Sequence, residues 1–432
     1  MTIVQELQTI VGDAIVSWEN LKPHWQQVVN AMSQENLPCC IVYPHTTAEL
    51  KSVLQKAYKN NWRVLPCGSG SKLEWGGLAN GVDLVVSTER LNRIIEHAVG
   101  DLTVTVEAGV KLADLQAILH KVGQFLPLEP AYPQEATLGG IVATADSGAL
   151  RHRYGGIRDM LLGVSFIRSD GESAKAGGRV VKNVAGYDLM KLFTGSYGTL
   201  AVISEVTFRV YPIPQASATV VLTGEQEAVA NATKILLASA LTPTAVDLIS
   251  SKLVSQLGFA QGMGLMVRFQ SVTESVKEQS SRLLSIGEKL GLQSTIYLDD
   301  VQLWQSLPEQ IWNASQKPVI TCKIGVSPIA AVSTLTQLEH LTSAQGIGLI
   351  HGGSGLGLLQ LDATVTAQTI MEMRQYCESK NGFLTILAAP ATIKKQIDVW
   401  GYKGNALEIM RQIKQQFDPK NLLSPNRFVG GI

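Results

Sequence analysis

Long hydrophobic runs are missing from this sequence of 432 residues. No stretch of about 18 or more residues is continuously apolar, which is the length that a membrane-spanning helix needs. The N-terminus carries Glu6 and Asp13 and has no basic segment followed by a hydrophobic run, so a signal peptide is not expected. We therefore expect a cytoplasmic protein whose membrane contact is peripheral, at the inner face, or made through a partner.

An excess of charge of either sign is also missing, because 36 Lys and Arg residues balance 36 Asp and Glu residues. A neutral chain exerts no long-range attraction on phosphate backbones. The sequence has neither basic runs nor basic residues interleaved with aromatic ones, which are the patterns of nucleic-acid-binding proteins. We expect no nucleic acid partner.

Cysteine is scarce, and the chain contains only Cys39, Cys40, Cys67, Cys322 and Cys377. Their number is odd, two are adjacent and no Cys-x-x-Cys pair occurs, which argues against a disulfide framework and a thiolate metal site. An iron–sulfur cluster also needs a group of cysteine ligands. We expect reduced thiols.

The hydrophobic pattern divides the chain into four segments. Residues 1–36 are predicted to be mainly helical, residues 37–214 mix strands, helices and glycine-rich loops, and residues 401–432 form a helix and a tail. Between them, residues 215–400 alternate strands with helices, after the Pro-Ile-Pro sequence at 212–214 that marks a boundary. This order favours an antiparallel sheet with helices on one face, so the predicted fold class is α+β.

Turn and cap residues predict individual elements. Asp170-Gly171 between two apolar runs is typical of a β-hairpin. Thr46 or Thr47 is predicted to cap a helix that runs to residue 59, and Thr273 to cap a later one.

One glycine-rich loop follows a predicted strand and contains Gly68, Ser69, Gly70 and Ser71. Glycines let the backbone form turns and let a ligand approach closely. Successive N–H groups in such a turn bind anions, and the two serine hydroxyls add donors, which suits a pyrophosphate. The spacing matches neither the Walker A motif nor Gly-x-Gly-x-x-Gly. By itself the loop is equally consistent with an ordinary surface turn.

Two further segments are rich in small residues. Residues 137–148 contain Gly139, Gly140 and Gly148 among alanines and hydroxyl residues. This pattern fits either a tight helix–strand junction or a wall against a flat ring system. Residues 186–200 again lead from glycines into a strand, which is also the pattern of a plain strand-entry turn. The three loops together favour a dinucleotide, because a long ligand needs several backbone segments.

The loops carry a resemblance to a known family. The segments PCGSGSKLEWGG, TLGGIVATADSG, RYGGIRDMLLGVSFIRSDGE and GYDLMKLFTGSYGTLAVISEVTFRVYP occur in this order. They resemble the FAD-binding domain of the vanillyl-alcohol oxidase/p-cresol methylhydroxylase (PCMH) superfamily, and more closely the FAD-binding E subunits of bacterial glycolate oxidases (glycolate dehydrogenases). The resemblance implies a two-subdomain PCMH-type FAD-binding domain followed by an antiparallel sheet/helix cap of ferredoxin-like type.

The resemblance also assigns cofactor contacts. It implies that the loop at Gly68, Ser69, Gly70 and Ser71 cradles the FAD pyrophosphate. It implies further that the isoalloxazine and ribityl chain are lined by Thr137, Gly140, Thr144 and Gly148, and that the adenine meets the backbone of Ile203. Some superfamily members tether the flavin through a histidine in the first loop. No histidine is present there, so we expect non-covalent FAD, with Cys67 as the alternative tether.

One candidate catalytic residue, His351, lies in a segment that resembles a metal-binding motif. Related 2-hydroxy acid dehydrogenases carry a metal-binding His-x-Gly-Asp-Gly-Asn-x-His segment, and the nearest match here begins at His351. Ser354 replaces the acid and Leu358 the second histidine, so we expect no bound metal, since such sites need several ligands. His351 is then either a catalytic base or a hydrogen-bonded residue at a sheet edge.

Other residues are candidates for the remaining roles. Tyr187 is either turned toward substrate or packed structurally. A substrate carboxylate needs a cation, for which Lys323 inside a predicted strand is the preferred candidate. Further basic residues are either carboxylate ligands or surface charges: Arg179, Lys182 and Arg268. Arg427 is expected to return toward the flavin with the C-terminal tail, as the resemblance implies.

Three functions fit these expectations. The first is an FAD-dependent subunit that oxidises a small 2-hydroxy acid, glycolate to glyoxylate or D-lactate, together with a larger FAD-binding and an iron–sulfur subunit. The second is an electron-relay or structural subunit of that complex, which the altered segment at His351 favours. The third is a free-standing flavin dehydrogenase of another alcohol.

Overall fold

A computed structural model describes residues 2–33, 37–178, 186–312 and 319–432. The chain forms two compact units. The first unit comprises Met1–Ser147, Gly156–Pro212 and Tyr402–Ile432, and the second comprises Gly148–Gly155 and Ile213–Gly401. The chain thus enters the second unit twice, once for eight residues and once for the long segment after Pro212.

Eleven strands and eight helices lie in the described residues up to Pro212. The strands are β1 Ile15–Ser17, β2 Cys40–Val42, β3 Val64–Cys67, β4 Leu84–Ser87, β5 Ile94–Ala98, β6 Thr103–Glu107, β7 Gln124–Phe125, β8 Leu161–Ile167, β9 Ser173–Gly177, β10 Val202–Arg209 and β11 Tyr211–Pro212. The helices are α1 Ile3–Val11, α2 Pro23–Met32, α3 Thr47–Asn60, α4 Leu112–His120, α5 Leu138–Thr144, α6 Arg151–Tyr154, α7 Ile157–Met160 and α8 Leu189–Phe193.

The rest of the chain continues the mixture of strands and helices. The strands are β12 Ala216–Gly224, β13 Ala245–Ile249, β14 Met263–Ser271, β15 Gln293–Tyr297, β16 Val319–Gly325, β17 Ile347–His351, β18 Leu356–Asp362 and β19 Phe383–Ala388. The helices are α9 Gln226–Ala238, α10 Ser251–Gln256, α11 Thr273–Lys289, α12 Val301–Trp312, α13 Ala331–Leu341, α14 Ala367–Ser379, α15 Ala391–Gln396 and α16 Leu407–Phe417. The fold is α+β.

The first unit contains two main sheets. One has the strand order β1-β2-β4-β3, with β2, β4 and β3 parallel, and β2 and β4 are fully buried. Buried parallel strands are apolar on both faces, which explains the short continuous run at β4. The other sheet has the order β5-β6-β10-β8-β9 and is antiparallel throughout.

The hairpin predicted at Asp170-Gly171 is confirmed. It joins the antiparallel strands β8 and β9, and Gly171 has φ +82°, a backbone conformation that favours glycine. Thr46 is confirmed as the N-cap of α3, because its side chain accepts a hydrogen bond from the Glu49 N–H. Thr273 is instead the first residue of α11, and Val272 occupies the cap position.

An aromatic cluster attaches the C-terminal helix α16 to the first unit. The ring centroids of Phe166 and Phe193 are 4.2 Å apart, and the Phe417 ring packs edge-on against Phe193 at 5.6 Å. Phe166 and Phe193 are almost completely buried. The contact of the partly buried Phe417 with two buried rings ties the last helix to β8 and α8.

The second unit is built on one antiparallel sheet of eight strands in the order β15-β12-β14-β13-β17-β18-β16-β19. Our expectation of helices on one face is wrong, since both faces are covered. Val220 and Leu222 of β12 pack in a core with α9 and α11, whereas Val221 between them packs in a second core with α10 and α12. A strand covered on both sides lacks apolar–polar alternation, so its sequence does not reveal a second helical layer.

None of the described helices combines the length and apolar character required to cross a membrane.

Candidate functional site

A cleft with about 760 Å³ of empty space opens in the first unit. Three separate loops and the C-terminal tail form its walls. Eight of the nine predicted cofactor residues line it, namely Gly68, Ser69, Gly70, Ser71, Thr137, Gly140, Thr144 and Ile203. The ninth, Gly148, does not line the cleft and belongs to the short segment that joins the second unit.

The loop after β3 presents a row of hydrogen-bond donors to the cleft. The backbone N–H groups from Gly68 to Ser71 find no acceptor among the described residues. A Cβ atom on Gly68 would lie 2.0 Å from Thr137 Oγ1, and one on Gly70, where φ is +83°, would lie 2.7 Å from the Trp25 ring. The glycines are therefore required by close packing, and the free N–H groups form an anion-binding nest.

The serines of this loop differ from our expectation in one respect. The Ser69 hydroxyl donates to the Glu135 carbonyl at 2.7 Å, so its proton holds a neighbouring loop in place. The Gly68 carbonyl accepts from the Ser87 hydroxyl at 2.9 Å. The anion-binding donors of the loop are therefore mainly backbone groups.

Helix α5 forms the second wall. Thr137 caps it, accepting the Gly140 N–H at 3.4 Å, and the Thr144 hydroxyl donates to the Gly140 carbonyl at 2.8 Å. A Cβ atom on Gly139 would lie 2.7 Å from Ala108 Cβ. The small residues thus bring α5 close to its neighbours, and one side of it lines the cleft.

Tyr197 and Gly198 form the third wall, which sequence reasoning located only as a glycine-rich turn. The Tyr197 N–H donates to the Ala143 carbonyl at 2.8 Å, and Tyr197 has φ +54°. Burial raises the pKa of the Tyr197 phenol well above its usual value, so the phenol stays neutral. The signal available in the sequence was the Ser-Tyr-Gly turn that enters β10.

Arg427 brings the C-terminal tail into the cleft lining. Its guanidinium donates to the carbonyls of Leu73, Trp75 and Gly77 at 2.6 to 3.0 Å. Burial lowers its pKa to about 10, while the nearby Tyr197 acts in the opposite direction. Arg427 therefore joins the tail to the chain that follows the glycine-rich loop.

Lys72 is a lining residue that we did not predict. Its side chain is 5% exposed, and Nζ lies 3.0 Å from Asp146 Oδ2. The same carboxylate oxygen accepts the Ala131 N–H at 2.9 Å. Desolvation lowers the pKa of Lys72, and the charge of Asp146 opposes that shift. Sequence offered no sign of this pair, whose members are 74 positions apart.

The second unit contains a buried histidine–carboxylate pair. His351 at the end of β17 lies directly opposite Asp247 on β13, and Nδ1 of the histidine is 2.6 Å from Asp247 Oδ1. Asp247 is fully buried, and its Oδ2 has no hydrogen-bond partner in the described part of the chain. Strand β17 lies inside the sheet rather than at its edge, so the sheet-edge interpretation of His351 is wrong.

A second histidine approaches this pair from the segment of eight residues. His152 of α6 packs against Gly353, where a Cβ atom would lie 2.3 Å from its Nδ1. Burial lowers the pKa of His152, His351 lowers it further, and Asp247 opposes the shift. Because Gly353 has no side chain, His152 can pack closely against it. The sequence did not indicate this contact, since His152 is far from His351 and Gly353 in the chain.

The remaining catalytic candidates are placed as follows. Lys323 lies on β16, half-buried and on the same sheet face as His351, as the strand registers show. Tyr187 is 89% exposed and does not line the cleft. Arg179 and Lys182 lie outside the described residues.

Arg268 is not a surface charge. It makes two hydrogen bonds to Asp300, at 2.9 and 3.0 Å, and lies over the Trp304 ring. Asp300 also accepts the hydroxyls of Ser217 and Thr219. The guanidinium is thus committed to a buried network and is not available as a carboxylate clamp.

Comparisons with known proteins connect these units to a family. Residues 38–177 match the model of a family described as "FAD binding domain". Glycolate oxidase subunit GlcE of Escherichia coli is 36% identical over 57% of this chain and 67% of its own length. A mitochondrial D-lactate dehydrogenase [cytochrome] of Arabidopsis thaliana is 25% identical over 99% of this chain and 80% of its own.

The chain belongs to this family of FAD-binding oxidoreductases.

The fold of the flavoprotein is shared with solved structures of low sequence identity. p-Cresol methylhydroxylase with substrate bound aligns with a TM-score of 0.75 at 14% identity, over 98% of this chain and 96% of its own. An alkyldihydroxyacetonephosphate synthase aligns with a TM-score of 0.73 at 18% identity, over 97% and 85%. These likenesses concern the architecture alone.

The residues of the cleft fit FAD. The nest from Gly68 to Ser71 offers unused N–H donors to a pyrophosphate. The mainly apolar walls at Ala143, Ala201 and Val202 suit the flat isoalloxazine ring and the ribityl chain of a flavin. The cleft therefore provides both chemistries that a flavin dinucleotide requires.

Within the described ranges, no group of three or more His, Cys, Asp or Glu side chains is arranged to hold a metal ion.

Proposed function

We propose that this flavoprotein binds FAD non-covalently and oxidises a small 2-hydroxy acid, glycolate to glyoxylate or D-lactate to pyruvate. Two features carry the proposal. The first unit contains a cleft with a free anion-binding nest, and the second unit contains a buried Asp247–His351 pair. Bound FAD supplies N5 as the acceptor of the Cα hydride. The protein supplies orientation, a base and a cation.

Non-covalent attachment follows from the chemistry of the cleft. Cys67 lines the cleft directly before the nest, and burial raises the pKa of its thiol. Attack on a flavin would require the thiolate. The proposal is therefore that Cys67 stays protonated and FAD dissociates without bond cleavage.

His351 is proposed as the general base. With Nδ1 donating to Asp247, the lone pair of Nε2 is the free acceptor, so Nε2 takes the proton of the substrate hydroxyl. The Asp247 carboxylate then stabilises the imidazolium, since it is buried and fixed on the neighbouring strand.

Lys323 is proposed as the cation for the substrate carboxylate. It lies on β16 and shares a sheet face with His351. The eight-stranded sheet would then form the substrate domain. Tyr187 remains a weaker candidate because its side chain is almost fully exposed.

A visible spectrum of the purified protein tests the cofactor. We expect flavin bands that remain in solution after acid precipitation. A colourless protein that takes up no added FAD would contradict FAD binding, and a yellow pellet would contradict non-covalent attachment. The Cys67→Ser variant is the matched control, expected to carry the same yellow colour.

Anaerobic addition of glycolate and of D-lactate tests the reaction. Bleaching of the flavin by either acid supports oxidation by this chain, and the faster one identifies the preferred substrate. Persistent colour with both acids, in a protein that has bound FAD, would contradict it.

An electron-relay or structural subunit is the second candidate function. The specific observation behind it is the altered segment after His351, with Ser354 and Leu358 in place of metal ligands. Glycolate oxidase relatives are named as subunits, so we propose a larger FAD-binding and an iron–sulfur subunit as partners in the cytoplasm, with peripheral membrane contact. Bleaching only after those partners are added would favour this function.

The third candidate function is that of a free-standing flavin dehydrogenase of another alcohol. D-lactate dehydrogenases align along nearly the whole chain, and they are not named as subunits. Bleaching by the isolated protein with an alcohol other than a 2-hydroxy acid would favour this function.

A further inference from the structure

The cleft holds one buried cation whose hydrogen-bonding capacity is mostly unused. An ammonium group has three N–H donors. Among the described residues, Lys72 Nζ makes a single hydrogen bond, to Asp146 at 3.0 Å. A buried ammonium with spare donors is costly unless something else accepts them.

The position of Lys72 indicates what that acceptor is. Lys72 follows Ser71 directly, so the cation stands at the end of the row of N–H donors in the same cleft wall. The Trp75 ring lies 5.4 Å from Nζ and the side chain is almost fully buried. The spare donors therefore have little access to bulk water, and the nearest proposed ligand group is a phosphate.

Asp146 holds the Lys72 ammonium group in position. Its Oδ2 accepts both Lys72 Nζ and the Ala131 N–H, which anchors the carboxylate to backbone outside the nest. An ion pair of this kind holds a long side chain in one geometry. The charge of Asp146 also opposes the lowering of the Lys72 pKa by desolvation.

We infer that Lys72 is a phosphate ligand of the cofactor, held in position by Asp146. The backbone nest and the ammonium then act together on the negatively charged diphosphate. The inference rests on FAD binding and is independent of the substrate proposed above.

The test compares Asp146→Asn with the double variant Lys72→Met/Asp146→Asn. The amide of the single variant still accepts the Ala131 N–H, so neither protein is left with an unpaired buried carboxylate. FAD affinity is measured by flavin fluorescence on protein stripped of cofactor, with riboflavin, which lacks phosphate, as the second ligand. Lys59→Met, at an exposed position, controls for net charge.

We expect the double variant to bind FAD about 10- to 100-fold more weakly than Asp146→Asn, the range for hydrogen bonds from a charged donor. Riboflavin affinity should be equal in the two proteins. Equal FAD affinities, or an equal loss for FAD and riboflavin, would overturn the inference and make Lys72 a packing residue. The measurement needs no turnover, so it is separate from a failure of the proposed oxidation.

Discussion

Asp247 and His351 occupy directly opposed positions on two interior strands, and a 2.6 Å hydrogen bond joins the largely buried His351 to the fully buried Asp247. Neighbouring strands hold both backbones, so the imidazole has one orientation and one favoured tautomer. This arrangement has the form of a base supported by a carboxylate.

Replacing His351 should abolish most substrate oxidation and leave the cofactor bound. We expect His351→Gln to lower kcat for the 2-hydroxy acid by about 10²- to 10⁴-fold, the contribution of a general base. The measurement is anaerobic flavin bleaching by stopped flow. His340→Gln, at an exposed position on α13, is the matched control and should retain the full rate.

Replacing Asp247 should act through the same histidine. Asp247→Asn removes the charge that stabilises the imidazolium, so kcat should fall by about 10²- to 10⁴-fold at unchanged FAD content. The exposed Asp299→Asn is the control. An unchanged kcat in Asp247→Asn would show that the pair is structural.

His152 should make the stability of the protein sensitive to acid. Burial depresses its pKa in the folded state below the ordinary value of 6.5. As the pH falls through 6.5, the unfolded chain binds a proton that the folded chain resists, so stability decreases with falling pH.

Urea unfolding at pH 8 and pH 5.5 checks this prediction. The wild type should lose more stability between the two pH values than His152→Gln does, and the two proteins should behave alike above neutral pH. The same loss in both proteins would show that other groups dominate the acid response.

Gly68→Ala should damage the cofactor cleft. The new Cβ would lie 2.0 Å from Thr137 Oγ1, so the loop or the cap of α5 must move. Overpacking of this kind costs about 1–3 kcal/mol, and we expect at least about a tenfold loss of FAD affinity. Gly100→Ala meets nothing within 4 Å and should bind FAD normally.

Lys414 should be important for the stability of the first unit. Its buried Nζ donates to the Thr199 and Leu423 carbonyls and to Asp418, at 2.7 to 2.8 Å. Lys414→Met leaves the buried Asp418 carboxylate unpaired, which typically costs about 3–5 kcal/mol. Denaturant unfolding should show that loss, and the exposed Lys121→Met should not.

Local rules predicted those parts of the fold that depend on neighbouring residues. The Asp170-Gly171 hairpin and the Thr46 cap are set by a few adjacent residues, and both are confirmed. The three glycine-rich loops were also identified, because each has its own backbone requirement.

Contacts between residues that are distant in the chain could not be predicted from the sequence. Lys72 meets Asp146, and His152 meets Gly353, only because of the tertiary fold. Gly148, which the resemblance placed beside the isoalloxazine, is not part of the cleft lining, and the chain leaves the first unit after Ser147. The second helical layer on the sheet was hidden because strands buried on both faces lose their alternation.

The first unit is discontinuous in the sequence, since its last part is Tyr402–Ile432. Arg427 completes the cleft wall and Phe417 completes the aromatic cluster. During synthesis, these residues leave the ribosome after almost all the others. The cleft wall of the nascent chain therefore stays incomplete until Arg427 has left the ribosome.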